Sequence, residues 1–131
     1  MDQNIKRYML RDTWLDWEVV LEVDHDQLTK ERATLINQFW SGDDYRLDNA
    51  EGDVMKAVIK LAASTLVSAL LRNGGGNFAE GNEAAALWTR DDLHNQEGWG
   101  GPEDNAYGWC GIRLVSADVG VDIDLDFVEV A

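Results

Sequence analysis

The fold of this chain is decided by residues 12–25, which read DTWLDWEVVLEVDH. Apolar side chains recur there at every second position, and acidic residues take the other face with one break at Val20. The apolar set is Leu15, Trp17, Val19, Leu21 and Val23, and the acidic set is Asp16, Glu18 and Glu22. Such alternation is typical of a strand that is buried on one side only. Residues 5–11 precede it as a second strand, and Asp12-Thr13 supplies turn residues, so the sequence predicts a β-hairpin.

The apolar spacing becomes helical after residue 26. Thr29 is a candidate N-cap, with Leu28 and Ala33 placed as a hydrophobic staple, and this first helix is expected to end near Ser41-Gly42. Residues 42–53 are polar and rich in aspartate. We therefore expect a connecting loop that places acidic groups at the N-terminus of the next helix, where its dipole favours them.

The remaining elements are a long helix, a shorter helix and two strands. The long helix runs from about residues 49–53 to Arg72, and its wide apolar arc indicates a core position. Asn73-Gly74-Gly75-Gly76 ends it, because glycine readily takes the left-handed conformation. The shorter helix is expected from Asn82 to about Leu93, and the strands near residues 109–116 and 121–130.

This element order, ββαα(α)ββ, predicts an α+β fold with a four-stranded antiparallel sheet and two or three helices packed on one face. The length of 131 residues and the apolar share of 45% fit one domain over residues 1–131. The sequence shows no internal repeat and no separate second domain.

Charge is the strongest compositional signal. The chain has 25 acidic and 11 basic residues, a formal net charge of −14. This balance argues against direct contact with nucleic acid or an anionic membrane, since both need clustered cations. The start of the sequence has no basic and apolar leader pattern, and the longest uncharged apolar-rich run, Leu61 to Leu71, is too short to span a bilayer. With Cys110 as its single cysteine, the protein is expected to be cytoplasmic.

The catalytic inventory is small, and we expect no enzyme, no cofactor and no metal. A hydrolase or transferase would have to use Cys110, His25 and His94, with at least two of them in one pocket, although Cys110 also fits a small buried hydrophobe. Gly74-Gly75-Gly76 is not a phosphate-binding loop, because the Lys-Ser/Thr pair is absent and the run follows a helix. Asp122-x-Asp124-x-Asp126 has the strand spacing of alternate residues and lacks the glycine and glutamate of a calcium loop.

Two rows of acids are predicted on strands. Asp16, Glu18 and Glu22 form one, and Asp122, Asp124 and Asp126 form the other, with alternate side chains about 6.6 Å apart. Because like charges across a ladder repel, we expect cations such as Lys6, Arg7 or Arg113 between the rows, or strands that are not neighbours. The acids are either a solvated face that aids solubility or a rigid imitation of a phosphate backbone.

A glycine-rich stretch, residues 96–108, carries large aromatic side chains. Trp99, Tyr107 and the adjoining Trp109 lie in or next to it, among acidic residues. Long loops of this kind either carry function or close over the core. The aromatic residues are therefore either anchors for a partner or a lid folded over the sheet.

Several segments resemble a family of small proteobacterial and phage proteins classed as a domain of unknown function. The residues that carry the resemblance are the hairpin from Asp12-Thr13-Trp14 to Val23-Asp24-His25, then Ile36-Asn37-Gln38-Phe39-Trp40-Ser41, Tyr45-Arg46-Leu47 and Gln96-Glu97-Gly98-Trp99. The resemblance implies a setting on phages, plasmids and other mobile elements, where small acidic proteins often inhibit host defence. It carries no catalytic residues over to this chain.

The sequence thus favours a non-enzymatic binding protein that docks on the basic, nucleic-acid-binding surface of another protein, of the anti-CRISPR or anti-restriction kind. The two acidic rows would supply the electrostatic face, and Trp99, Tyr107 and Trp109 would anchor it. The alternative is a structural or assembly module, such as a homodimer, that buries the tryptophan-rich loop against a second copy.

Overall fold

The structure, a computed structural model, describes residues 4–12, 14, 16–120 and 127. Its sheet has four antiparallel strands in the order β1-β2-β4-β3. The elements in chain order are β1 (Ile5–Asp12), β2 (Trp17–Asp24), α1 (Lys30–Phe39), α2 (Asp43–Asn49), α3 (Val54–Arg72), β3 (Gly75–Phe78), α4 (Glu83–Thr89) with a π-helical turn (Arg90–His94), and β4 (Ile112–Gly120). The predicted α+β class with a four-stranded antiparallel sheet is confirmed.

The core lies between the sheet and α3. From β2 it takes Val19, Leu21 and Val23, each at most 2% exposed. The core residues of β4 and α3 are Ile112, Leu114, Ala117 and Val119, and Val58, Ala62, Leu66 and Leu70. Alternate strand positions therefore face the helices, as the spacing of β2 predicts. The helix α4 lies beside the first half of β4, where Thr89 Oγ1 accepts a 2.9 Å hydrogen bond from the Leu114 N–H.

The helix caps follow the sequence signals. Thr29 accepts a 3.2 Å hydrogen bond from the Arg32 N–H, and Asn82 accepts one of 2.9 Å from Ala84. Leu28 and Ala33 are both fully buried, as a hydrophobic staple requires. Asp53 caps α3 through the N–H groups of its first turn.

Strand β3 is an element that the sequence analysis does not predict. It is the fourth strand of the described sheet, and the predicted strand at residues 121–130 lies outside the described residues apart from Phe127. Strand β3 exists because its glycines allow close approach: a Cβ on Gly75 would lie 2.4 Å from the Val119 carbonyl oxygen. Strand β4 also starts and ends later than the predicted 109–116.

The predicted loop over residues 42–53 is also wrong, because α2 occupies much of it. The side chain of Arg46 fixes this helix. It donates hydrogen bonds of 2.8 and 2.7 Å to the Asn37 side chain and carbonyl, and one of 2.9 Å to the Ser41 carbonyl. Tertiary polar contacts of this kind leave no apolar periodicity, so the sequence pattern did not indicate the helix.

The helix α3, with 19 residues, is long and apolar enough to cross a membrane by length and composition alone. In this structure it packs on the sheet, and nine of its residues are buried. A central core helix has the same composition as a membrane span. The length and hydropathy of α3 therefore do not distinguish a core helix from a membrane-spanning helix.

Candidate functional site

Glu22 is the centre of a polar network on the sheet face that is turned away from α3. It is 8% exposed, and its carboxylate accepts hydrogen bonds from Arg7 Nε at 2.8 Å and from Arg113 Nη2 at 2.7 Å. These arginines are its cross-strand neighbours on β1 and β4. Arg113 Nε donates a further hydrogen bond of 3.0 Å, and the Tyr107 hydroxyl donates a fourth, of 2.5 Å. Arg7 also pairs with Glu80.

This environment decides the charge of Glu22. Burial alone would raise the pKa of its carboxyl group, but the hydrogen bonds from Tyr107, Arg7 and Arg113 outweigh burial and lower the pKa to about 2. Glu22 is therefore ionised and neutralised by its neighbours. Its role is structural, because little of the carboxylate is exposed to a partner.

The other two acids predicted on this strand differ from each other. Glu18 is half-buried and pairs with Arg11 Nη2 at 2.8 Å. Asp16 is exposed but lies in the turn before β2, with a φ of +58°, so its placement on the strand face was wrong. Arg7 and Arg113 flank this row at Glu22, whereas Lys6 lies opposite Val23 on the other face; their predicted position between two acidic rows involves residues outside the described ones. The row of β2 is thus not a bare acidic surface.

Asp122, Asp124 and Asp126 lie outside the described residues. The structure therefore does not test their predicted row. Among the residues that are described, no group of three or more histidine, cysteine, aspartate or glutamate side chains has the arrangement of a metal site.

The aromatic side chains in and next to the 96–108 stretch make contacts within this chain. Trp99 is fully buried in the core. Trp109 is half-buried beneath the Arg32 guanidinium, 4.8 Å from the ring centroid, and Tyr107 binds Glu22 and lies under Arg113. Trp99 is therefore a core residue, and Tyr107 lies against the outer face of the sheet. Trp99 as a partner anchor was wrong.

Among the described residues no hydrogen bond joins Cys110 to either histidine, although Cys110 Sγ and His94 Nε2 both contact the Ile112 carbonyl oxygen. Cys110 is fully buried, and burial raises the pKa of its thiol to about 12, the opposite of what a nucleophile needs. The Nε2–H of His94 donates a 2.7 Å hydrogen bond to the Ile112 carbonyl, and burial lowers the pKa of this imidazole. His25 directly follows β2, and its Nε2 is hydrogen-bonded to the Tyr8 hydroxyl at 2.7 Å.

Uncompensated negative charge is found instead around α2. Four acids there are exposed and form no ion pair with another described residue: Asp44, Asp48, Glu51 and Asp53. The one base of the segment, Arg46, is turned inward to backbone carbonyls. Tyr45 is 72% exposed among these acids. We call this surface, Asp44, Tyr45, Asp48 and Glu51, the α2 acidic face.

The sequence pattern does not predict the α2 acidic face, because it indicates a loop over this segment. A signal was present: five acids and a single base occur within residues 43–53, next to the aromatic residue Tyr45. A shallow groove of about 470 Å³ runs along it, lined by Asp44, Tyr45, Leu47, Asp48 and Gly52. Carboxylates beside an aromatic ring suit a guanidinium or ammonium group.

These features define an acidic α+β protein built on one four-stranded sheet, with a group of exposed carboxylates on a short helix. A family model described as "Protein of unknown function (DUF2528)" matches residues 18–130, and the chain belongs to this family. It is 36% identical over 126 residues to protein ea10 of Escherichia phage lambda, and the match covers 94% of this chain and 93% of that protein. The lambda prophage-derived protein ea10 of Escherichia coli O6:H1 strain CFT073 matches with the same identity and coverage. No solved structure matches the chain.

Proposed function

We propose that this protein is a non-enzymatic binding protein of a phage or mobile element, and that it docks on the cationic, nucleic-acid-binding surface of a host protein. Inhibition of a host defence system, of the anti-CRISPR or anti-restriction kind, is the role that such docking would serve. The observation that carries the proposal is the α2 acidic face, whose carboxylates are exposed and unpaired among the described residues. The phage and prophage relatives support the setting.

The geometry of α2 fits this role. Asp44 and Asp48 are four residues apart on one helix, so their side chains are neighbours about 5–6 Å apart at Cβ. Tyr45 adds an exposed ring that a partner's arginine would cover. With a net charge of −14, long-range attraction to a basic surface speeds association and makes it sensitive to salt.

The acidic residues proposed from the sequence differ in how much they contribute to the negative surface. Asp122, Asp124 and Asp126 stay a proposed extension of the acidic surface. Glu18 and Glu22 are neutralised by arginines, so they contribute little to the field at the surface. The homodimer alternative has less aromatic surface to use, because Trp99 is in the core and Tyr107 is hydrogen-bonded to Glu22.

The experiment compares two charge-matched triple variants with the wild type. One removes the α2 acidic face by D44N, D48N and E51Q, and the control removes three exposed acids elsewhere by E83Q, E97Q and D104N. Each is used for affinity capture from an Escherichia coli lysate at low and high salt, and captured proteins are identified by mass spectrometry. Binding of the purified partner is then measured against competing double-stranded DNA.

The expected partner is a nucleic-acid-binding protein whose binding is competed by DNA and weakened by salt. Its affinity falls by roughly tenfold or more in the α2 variant and by much less in the control variant. Equal losses in both variants would mean that only net charge matters. A partner that binds the protein and DNA together would remove the mimicry hypothesis.

A further inference from the structure

A long groove runs along α3, beneath the free edge of β1. Two cavities of about 520 and 420 Å³ form it, and they share Leu10, Arg11 and Lys60 in their walls. The floor is apolar and consists of Leu10, Trp17, Ile59, Ala63, Val67 and Leu71. We call this surface the α3–β1 groove. It shares none of its lining with the groove of the α2 acidic face.

Much of the apolar lining of this groove is only partly covered. Four of its floor residues are half-buried: Leu10, Trp17, Val67 and Leu71. At the rim, Met9 is 60% exposed. The neighbouring strand β1 is an edge strand, with no further strand on its outer side in the described sheet. Uncovered apolar surface beside a strand edge is typical of a place that another segment covers.

The charges at the rim favour an acidic occupant. Lys56 and Lys60 are exposed, four residues apart on α3, and make no ion pair within the described part of the chain. Like charges at this spacing repel each other, so a carboxylate beside them is favourable. The acids of the rim already have partners: Asp12 accepts from the Trp14 N–H, Glu18 pairs with Arg11, and Asp53 accepts from the first turn of α3.

The described chain reaches this groove where β4 ends. The carbonyl of Gly120, the last residue of β4, accepts a 2.9 Å hydrogen bond from Trp17 Nε1. Because Trp17 is part of the groove wall, residues 121–131 start at the mouth of the groove. These 11 residues span about 36 Å when extended, whereas the α3 stretch from Met55 to Leu71 is about 24 Å long. The segment can therefore follow the whole groove.

The sequence of residues 121–131, VDIDLDFVEVA, matches the chemistry of the groove. Apolar and acidic residues alternate from Val121 to Phe127. An extended segment with this pattern directs its apolar side chains to one side and its carboxylates to the other. Phe127, the described residue of this segment, is 93% exposed and lines neither cavity in the structure. An apolar groove within reach would cover this ring.

We propose that residues 121–131 of this chain bind in the α3–β1 groove in an extended conformation. The apolar side chains cover the groove floor, and the carboxylates lie at the surface, beside Lys56 and Lys60 or in solvent. Attachment at Gly120 gives the segment a high local concentration at the groove, which favours this chain's own segment over that of a second copy. The proposal goes beyond docking on a host protein and does not depend on it.

The test measures how close the segment comes to the groove, by paramagnetic relaxation in ¹H–¹⁵N NMR. A nitroxide is attached at S64C, because Ser64 is exposed and lines the groove. Cys110 is kept, since it is fully buried, and mass spectrometry confirms one label per chain. The amide signals of residues 121–131 are expected to lose most of their intensity. A nitroxide at E31C is the control, since Glu31 is exposed on α1 and lines neither cavity, and it should leave these signals nearly unchanged.

Two double variants of the S64C protein test the contacts themselves. L125N with F127N removes apolar side chains of the segment, and we expect it to restore the signal intensities. K56Q with K60Q removes the two rim cations, and should lower the ratio of bound to free segment by roughly threefold, because exposed ion pairs contribute little each. The charge-matched control is K30Q with R72Q, two exposed cations that line neither cavity, and it should leave the broadening unchanged.

A mixed sample separates the chain's own segment from that of a second copy. Spin-labelled protein without ¹⁵N is mixed with ¹⁵N-labelled protein without a spin label, and no broadening of residues 121–131 is expected. Broadening in this sample would show that a second copy supplies the segment, and would overturn the proposal.

Two further outcomes would also overturn it. The first is equal intensity in residues 121–131 with the nitroxide at S64C and at E31C, whether the signals are lost in both or kept in both. The second is full broadening in the variant with L125N and F127N, which would mean that the apolar side chains do not hold the segment in the groove.

Discussion

The Tyr107 hydroxyl donates a 2.5 Å hydrogen bond to Oε1 of Glu22, 85 residues away in the sequence. This contact ties the 96–108 stretch to the outer face of the sheet. The same carboxylate joins β1 and β4 through Arg7 and Arg113. One side chain of β2 thus connects three separate parts of the chain. Its removal tests how far the fold depends on a polar network and not on the core alone.

The substitution E22Q is expected to destabilise the protein by about 2–3 kcal/mol at pH 7. It leaves Arg113 in a half-buried site without its counter-charge and removes one of the two carboxylates that pair with Arg7, which is costly. Urea unfolding followed by circular dichroism measures the change in the free energy of unfolding.

The matched control is E18Q on the same strand. Glu18 also pairs with an arginine but is more exposed, so its loss should cost about 0.5 kcal/mol or less. If E18Q and E22Q had equal effects, burial of the network would not be the cause.

The stability contributed by Glu22 should depend on pH in a defined window. Its pKa is about 2 in the folded protein, against an ordinary value of 4.5. Because the folded pKa is depressed, the contribution is fully present above pH 4.5 and is lost as the pH falls towards 2. The stability difference between wild type and E22Q should therefore shrink over this interval. Urea unfolding at a series of pH values measures it, and a constant difference would contradict the assignment.

The sequence predicts the elements whose pattern is local. The alternation of β2, the Thr29 cap and the wide apolar face of α3 all occur where the pattern indicates. The sequence pattern does not predict the elements whose formation depends on contacts between distant residues. Strand β3 consists largely of glycine, which has no strand preference, and forms because β4 accepts a backbone without side chains.

In the candidate site, too, some features are predicted from the sequence and others depend on distant contacts. The cations beside Glu22 are predicted because like charges across a sheet repel, and the register places Arg7 and Arg113 there. The sequence does not predict which acidic side chains are exposed to solvent. Whether a carboxylate is neutralised, as for Glu22, or left exposed, as for Asp48, depends on which distant residues fold next to it.

Gly111 is expected to tolerate no side chain. Its φ is +76°, and a Cβ would lie 2.7 Å from the Asp24 carbonyl oxygen and 2.8 Å from the Leu28 nitrogen. Both obstacles are backbone atoms that cannot rotate away. We expect G111A to cost about 3 kcal/mol or more, from the left-handed backbone and the clash together. Thermal or urea unfolding measures the loss.

Gly101 provides the control for this effect. Its φ is +88°, but a Cβ at this position would meet no atom within 4 Å, so G101A carries the backbone strain without the clash. We expect a cost of about 1 kcal/mol. Equal costs for G101A and G111A would show that packing between β2 and the start of β4 is looser than the structure indicates.

The Cys110 thiol should be unreactive in the folded protein. It is fully buried, and its pKa of about 12 keeps it protonated at neutral pH, whereas the thiolate is the reactive form. Labelling with a disulfide reagent at pH 8 is expected to be undetectable in the native state and to give one thiol per chain in denaturant. A variant with S64C and C110S, which places a thiol on the exposed side of α3, confirms that the reagent works under native conditions. Rapid labelling of Cys110 in the native wild type would mean that the thiol is accessible, and would return Cys110 and His94 to consideration as a catalytic pair.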